Sequence, residues 1–382
     1  MRLWPFRSRS RYVISATPPD DLLVMEELLR RSVEDILVVR ERELRGLSVA
    51  FGGELLVSPP RALERLEARF KPFGYTPFLR EERDNVWVQA IPLAAVTEAG
   101  TPWVNGLLFL ATCVSTVWAG AGVLSGFRTF NPFAHPALMT ASIVFALTLL
   151  LILVTHEFGH YFTARHYRAS VSLPYFIPAP PPFIFGTLGA IIKMRSPARD
   201  RNSLFDIAVA GPLAGLAIAI PAILVGLSWG RVVAVPPDAH EPMFGDSLLM
   251  RFLVYLTFGS IPSGMDVGVH PVGLAGWVGL FVTALNLFPV GQLDGGRIAY
   301  ALFGIHHRKV SVATFFALLA LGVATQSWNW IVWAALLLFL VGFHHSPPLN
   351  DVTPLSAGRR VLGVGCLVLL VLLIPPVPID IR

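Results

Sequence analysis

Apolar and polar positions follow two different rhythms along this chain. Up to residue 98 they alternate at short range with charges interleaved. Beyond it come long stretches free of Asp, Glu, Lys and Arg, among them these six: 99–127, 129–156, 207–230, 267–293, 310–350 and 361–379. A helix needs about 20 apolar residues to cross a bilayer core, so each stretch is predicted to span. The 310–350 stretch is too long for one helix, and QSWNW (326–330) is predicted to fold it into a hairpin with aromatic anchors at the interface. That makes about seven spans. An eighth hydrophobic segment, LLMRFLVYLTFGSIP (248–262), is short, carries Arg251 and ends at Pro262. It is expected to lie in the interface or to dip in and out.

The first rhythm predicts a small α+β domain over 1–98, followed by a membrane-embedded domain over 99–379 with its core at 137–305. Residues 1–12 form a basic arm, and PPDDLLVMEELLRR (18–31) has helical periodicity with acids in its first turn. DILVVRERELRGLSVAFGGELLVS (35–58) predicts one or two strands broken at Gly52 and Gly53. PPRALERLEARFKPFG (59–74) predicts a helix with prolines at its start and a glycine at its end. YTPFLREERDNVWVQAIPL (75–93) predicts a hairpin turning at Arg83–Asn85. The set suggests a ferredoxin-like unit. It carries no catalytic cluster, so its expected role is to bind a regulatory partner.

Charge supports the same division. Residues 1–100 hold 15 of the 30 Lys and Arg and 15 of the 25 Asp and Glu. Mean hydropathy over the whole chain is +0.62, well above that of a soluble domain. The net charge of +5 does not point to nucleic acid, because the remaining basic residues sit in short connections between apolar runs. The N-terminus lacks the apolar core and small-residue cleavage site of a signal peptide. The N-terminal domain is therefore expected in the cytoplasm, with the rest in a bacterial inner membrane. The basic connection from Arg165 to Arg201 then lies inside. If 248–262 does not cross, LDGG (293–296) reaches the same level as His156 and His160. Cys113 and Cys366 lie in apolar runs with no metal-type spacing, which predicts free thiols.

Chemistry concentrates at HEFGH (156–160). Residues four apart share a helix face, so His156 and His160 can grip one metal ion. Glu157, about 100° round the helix, can act as general base on a water at that metal. A polar patch that packs helices or lines a proton path is the other reading of such a trio. A third ligand should be a buried polar group at similar depth. Among the acids after residue 250, Asp266, Asp351 and Asp380 lie in loops or at the terminus. Only Asp294, in LNLFPVGQLDGGR, ends an apolar span. Two histidines and a carboxylate can suit iron, but with this motif they favour zinc.

HEFGH followed downstream by NLFPVGQLDGG resembles the site-2 protease family of intramembrane zinc metalloproteases. GTLGAIIKMRSPARDRNSLFDIAVAGPLAG (186–215) and LPYFIPAP (173–180) fit as well, and resemble the subgroup of plant chloroplast members and bacterial homologues with a soluble N-terminal domain. The resemblance implies hydrolysis of peptide bonds within transmembrane segments of membrane-protein substrates. It implies His156, His160 and Asp294 as Zn2+ ligands and Glu157 as the base. It also implies a substrate or oxyanion role for Asn286 and Pro289, and substrate strand pairing at the GTLGA element with Gly186 and Gly189. The alternative from another class is a membrane transporter or metal-dependent scaffold, which would show repeated halves or charges on several spans.

Elsewhere simpler readings are expected. Gly211 and Gly215 spell a close helix-packing motif. Asp206 suits a helix N-cap. His306, His307, His344 and His345 suit interface-seeking polar positions, and the Trp-rich SWNWIVW an interfacial anchor.

Overall fold

The computed structural model describes residues 22–45, 47–82, 84–92, 101–181, 183–234 and 243–380. The basic arm at 1–12 and the domain boundary at residue 98 lie outside the described residues.

The N-terminal unit is built from two repeats of one helix and one hairpin. Helix α1 (Leu22–Val33) precedes β1 (Leu37–Arg45) and β2 (Ser48–Leu55), and α2 (Pro59–Phe70) precedes β3 (Thr76–Glu82) and β4 (Asn85–Ile91). The sheet runs β1-β2-β4-β3 and every pair is antiparallel. It is a small α+β unit, but its order is αββαββ, where a ferredoxin-like unit is βαββαβ. Helix α2 begins with Pro59 and Pro60, and Gly74 closes the following 3-10 turn at φ 74°. Ala62, Leu63, Leu66 and Phe70 form its buried stripe. They meet Leu29 and Val33 of α1 and Phe51, Leu79 and Val88 of the sheet.

Gly52 and Gly53 do not break the strand. The hairpin turns between Arg45 and Ser48, and both glycines lie inside β2. A Cβ on Gly52 would fall 2.8 Å from the Trp87 ring, and one on Gly53 would fall 1.8 Å from the Val38 carbonyl oxygen. The pair admits a cross-strand indole and a β-bulge at Val39–Glu41. Close approach, not a turn, demands them.

The rest is mostly helical. Helices α3 (Pro102–Leu124) and α4 (Pro136–His166) lead to a small hairpin, β5 (Tyr175–Pro178) and β6 (Thr187–Ile191), and then to α5 (Arg201–Ser228). Strand β7 (Arg231–Ala234), β8 (Met243–Phe244), α6 (Leu248–Phe258) and β9 (Met265–Gly268) follow. Then come α7 (Pro271–Leu287), α8 (Asp294–Phe303), α9 (His307–Ala324), α10 (Trp328–Leu336, with a π-helical continuation to Val341) and α11 (Ala357–Leu373). Strand β7 pairs with β9, and β8 with β10 (Ile379–Asp380).

Among the described residues, four stretches are long and apolar enough to cross a membrane: Pro102–Leu124, Pro136–His166, Arg201–Ser228 and Asp294–Ala324. The apolar helices α7 and Trp328–Val341 are shorter. Helix α6 has 11 residues and is about 16 Å long, roughly half a bilayer core. The Trp-rich segment also departs from expectation. Trp328 is exposed, but Trp330 is fully buried and donates to the Pro376 carbonyl at 2.9 Å. It belongs to the core.

Candidate active site

Helix α4 is apolar until Thr155 and then carries HEFGH, ten residues before its end at His166. His156, Glu157 and His160 are all buried. Helix α7 stops at Leu287, and the backbone from Phe288 to Leu293 is irregular before α8 begins with Asp294. The break turns the chain back on itself. Gly295 and Gly296 let α8 press against that turn, since a Cβ on them would lie 1.8 Å from the Leu287 carbonyl oxygen and 2.4 Å from that of Gly291.

This places the Asp294 carboxylate on the histidines. His160 Nε2 is 3.0 Å and His156 Nε2 is 3.3 Å from Asp294 Oδ2, and the two ring nitrogens are 3.2 Å apart. Three buried donors converge on one point. Donors 2.0–2.1 Å from a tetrahedral zinc stand about 3.3 Å apart, so the triangle fits that ion. Nδ1 of His160 hydrogen-bonds the Ile207 carbonyl at 2.6 Å, which fixes the ring and turns Nε2 inward.

Helix α5 supplies the floor. A Cβ on Gly211 would lie 2.1 Å from His160 Nε2, and one on Gly215 3.2 Å from His156 Nδ1. Gly159 in turn approaches the Ala210 carbonyl, 2.7 Å from its virtual Cβ. The four-residue spacing of the glycines matches that of the histidines. The motif does more than pack helices: it makes room for the two rings.

The remaining candidate residues divide. Asn286 Nδ2 lies 3.4 Å from His156 Nε2, beside the three donors. Pro289 meets them only through the turn, its carbonyl accepting from Ser311 Oγ at 3.0 Å. Gly186 has φ +71° and its virtual Cβ would strike the Ser115 carbonyl at 2.4 Å. Its own carbonyl accepts from Ser115 Oγ at 2.6 Å, anchoring the hairpin to α3. Gly189 has φ +89° with open space beside it, next to exposed Leu188 on β6.

Ser311 had no sequence argument behind it, and three other polar side chains near the site had a different one. Ser311 Oγ accepts from the Gly291 amide at 3.4 Å as well as donating to Pro289, and His307 Nε2 lies 3.1 Å behind it. His307 is buried and His345 stacks on Tyr300, so these two are not interface residues. Asp206 is not an N-cap. Asp200 caps α5 in a reciprocal box with Ser203, whereas Asp206 lies inside the helix and takes a two-pronged ion pair from Arg359, with Nε 2.7 Å and Nη2 2.6 Å away. The hint available in the sequence was a polar residue amid apolar neighbours, which is costly unless partnered.

Known proteins match where this geometry lies. Residues 144–327 match Peptidase family M50. A rice (Oryza sativa subsp. japonica) protein named probable zinc metalloprotease EGY1, chloroplastic, is 35% identical over 64% of this chain and 42% of its own length. Its Arabidopsis thaliana namesake is 34% identical over 62% and 43%. The rice (subsp. indica) probable zinc metalloprotease EGY2, chloroplastic, is 29% identical over 91% of this chain and 65% of its own. The chain thus spans less than two thirds of these relatives. No solved structure matches it. With its apolar helices and buried His-His-Asp cluster, it is an integral membrane protein whose residues 144–327 form a site-2 protease domain, Peptidase family M50.

Proposed function

We propose that this chain is an intramembrane zinc metalloprotease that hydrolyses peptide bonds in or near transmembrane segments of membrane-protein substrates. The observation that carries this is the convergence of His156, His160 and Asp294, with Glu157 beside them on α4. His156, His160 and Asp294 would hold Zn2+. The ion, when bound, supplies Lewis acidity to the scissile carbonyl and to water. Glu157 takes the proton from the attacking water and returns it to the leaving amine. The Asn286 amide is near enough to His156 to orient substrate backbone or stabilise developing oxyanion charge.

A helical substrate hides its peptide bonds, so an unwound segment must be presented. The sheet β5-β6 has two strands, and open space at Gly189 on β6 suits strand addition by substrate. Gly186 serves that role indirectly, by fixing the hairpin to α3, and Pro289 by shaping the turn before Asp294. The shorter helices α7, α10 and α11 complete seven crossings in this reading. The boundary between the soluble and membrane domains falls near residues 98 and 99. The soluble domain and LDGG share one face, the cytoplasmic side of a bacterial inner membrane or its plastid counterpart, and the soluble domain takes a regulatory partner. No observation favours a transporter or scaffold.

The test is zinc analysis of the purified protein with cleavage of a model transmembrane peptide. Wild type should hold one zinc and cleave; Glu157→Gln should keep the metal and lose cleavage by about 100-fold or more. Equal cleavage by the two proteins would discard the mechanism.

A further inference from the structure

We infer that Asp351 is a positioning residue for the metal site, clamping the helix that begins with Asp294 to the helix that floors the histidines and joining both to the N-terminal domain. The inference rests on the proposed zinc site.

Asp294 is the first residue of α8, and the backbone before it is irregular. No continuous helix carries it into place, so α8 must be located by side-chain contacts. One set lies at its start, where Gly295 and Gly296 meet the turn. Ile298 and Ala301 pack into the core further along, and the polar contact lies at Tyr300, six residues on and about 9 Å along the helix axis. The Tyr300 hydroxyl donates to Asp351 Oδ2 at 2.9 Å. The other carboxylate oxygen, Oδ1, accepts from Arg201 Nε at 2.7 Å. Arg201 opens α5, the helix that carries Gly211 and Gly215. Asp351 and Tyr300 are buried, where an unpaired carboxylate oxygen would be costly.

The backbone around Asp351 makes the third connection. The Leu349 and Asn350 amides donate to the Ala198 and Arg199 carbonyls, both at 2.9 Å, on the approach to α5. On the other side Leu79 of β3 donates to the Leu349 carbonyl at 2.7 Å and accepts from the Asp351 amide at 2.9 Å. The Leu349 side chain packs in the core of the N-terminal unit. Residues 349–351 therefore link the soluble sheet to the approach to α5, with Asn350 bridging Leu79 on one side and Asp200 on the other. A purely local ion pair would tie two neighbouring groups. Asp351 instead joins the helix that supplies Asp294 to the helix that floors the histidines. A displacement of the soluble domain that drags this segment would move Asp294 against His156 and His160.

The test uses the full chain in detergent, with wild type, Tyr300→Phe and Asp351→Asn. Tyr300→Phe removes a single hydroxyl and keeps the fold testable if Asp351→Asn does not fold. The readouts are the rate of zinc loss to a chelator and the visible spectrum of the cobalt-substituted protein. Both variants should release zinc about 10-fold faster or more, the size expected when a supporting contact of a metal site is lost, with a shifted cobalt spectrum. Arg359→Gln, which breaks the separate pair with Asp206, should leave both readouts at wild-type values. Wild-type release and spectrum in Tyr300→Phe and Asp351→Asn overturn this inference alone. A wild-type protein that holds no zinc overturns the proposed function and this inference with it.

Discussion

The N-terminal unit and the membrane unit sort their residues by opposite rules. In the first, Leu29, Phe51, Leu63 and Leu79 are at most 1% exposed, while ion pairs such as Arg40–Glu54 stand outside. In the second, Leu107, Leu110 and Leu147 are 59–64% exposed, and Thr112, Thr116, Ser142 and Ser311 are fully buried. Lipid is as apolar as a leucine core, so burial there gains little from hydrophobicity. Close packing and hydrogen bonding decide instead what lies inside. The lesson is practical: in the soluble unit apolar residues mark the interior, whereas in the membrane unit they lie both inside and outside, and small and polar residues tell the two apart.

The sharpest way to break this contrast is to add one methyl group inside the membrane unit. Gly211→Ala would put a Cβ within 2.1 Å of His160 Nε2, so zinc affinity should fall by about 100-fold. Gly215→Ala, with its nearest atom at 3.2 Å, should cost much less, on the order of 10-fold. Isothermal competition with a zinc chelator measures both. Equal affinity in Gly211→Ala and wild type would show that the glycines serve only helix packing.

Truncating large apolar side chains should give the reverse order between the units. Phe51→Ala opens a cavity in the soluble core and should destabilise that unit by about 3–5 kcal/mol. Leu147→Ala removes side chain from a lipid-facing surface and should change stability by less than about 0.5 kcal/mol. Denaturant titration in detergent, followed by hydrogen exchange, reports each unit separately. A large loss for Leu147→Ala would mean that its face packs against protein.

The smallest effect concerns an exposed charge on the soluble unit. Hydrogen bonds from Arg30 and then Arg31 hold the Glu27 carboxyl down to about 2. Folding lowers this acid's pKa, so its contribution is present above the ordinary carboxylate value and is lost as pH falls through about 2. The protection of α1 amides, exchange relative to the intrinsic rate at each pH, should therefore fall slightly between pH 5 and pH 2 in wild type. Glu27→Gln should show a flatter profile, and an identical one would remove Glu27 as the cause.

Much of the soluble unit was legible because its signals are local. Prolines at the start of α2, Gly74 at its end and the hairpin turn before Asn85 each act over a few residues. Gly52 and Gly53 misled because glycine marks either a turn or a close approach, and only Trp87 and Val38 across the sheet decide which. In the membrane unit, HEFGH was legible as two histidines on one helix face. Asp294 stood out as the one acid closing an apolar span. Asp351 was not legible: in SPPLNDVTP it has the look of any loop acid, and its partners Arg201 and Tyr300 are 150 and 51 residues away.

The sequence by itself determined the two-part organisation, the apolar helices and the chemical identity of the candidate site, because hydropathy and residue type are properties of the chain. Only the tertiary structure decided that the Gly211–Gly215 spacing receives the histidine rings and that an irregular turn delivers Asp294 to them. It alone showed that a bridging segment at 349–351 ties α5 and α8 to the soluble sheet. The physical reason is that these are contacts between segments with no periodic relation. Their distances are set by how helices pack, and no local pattern records that.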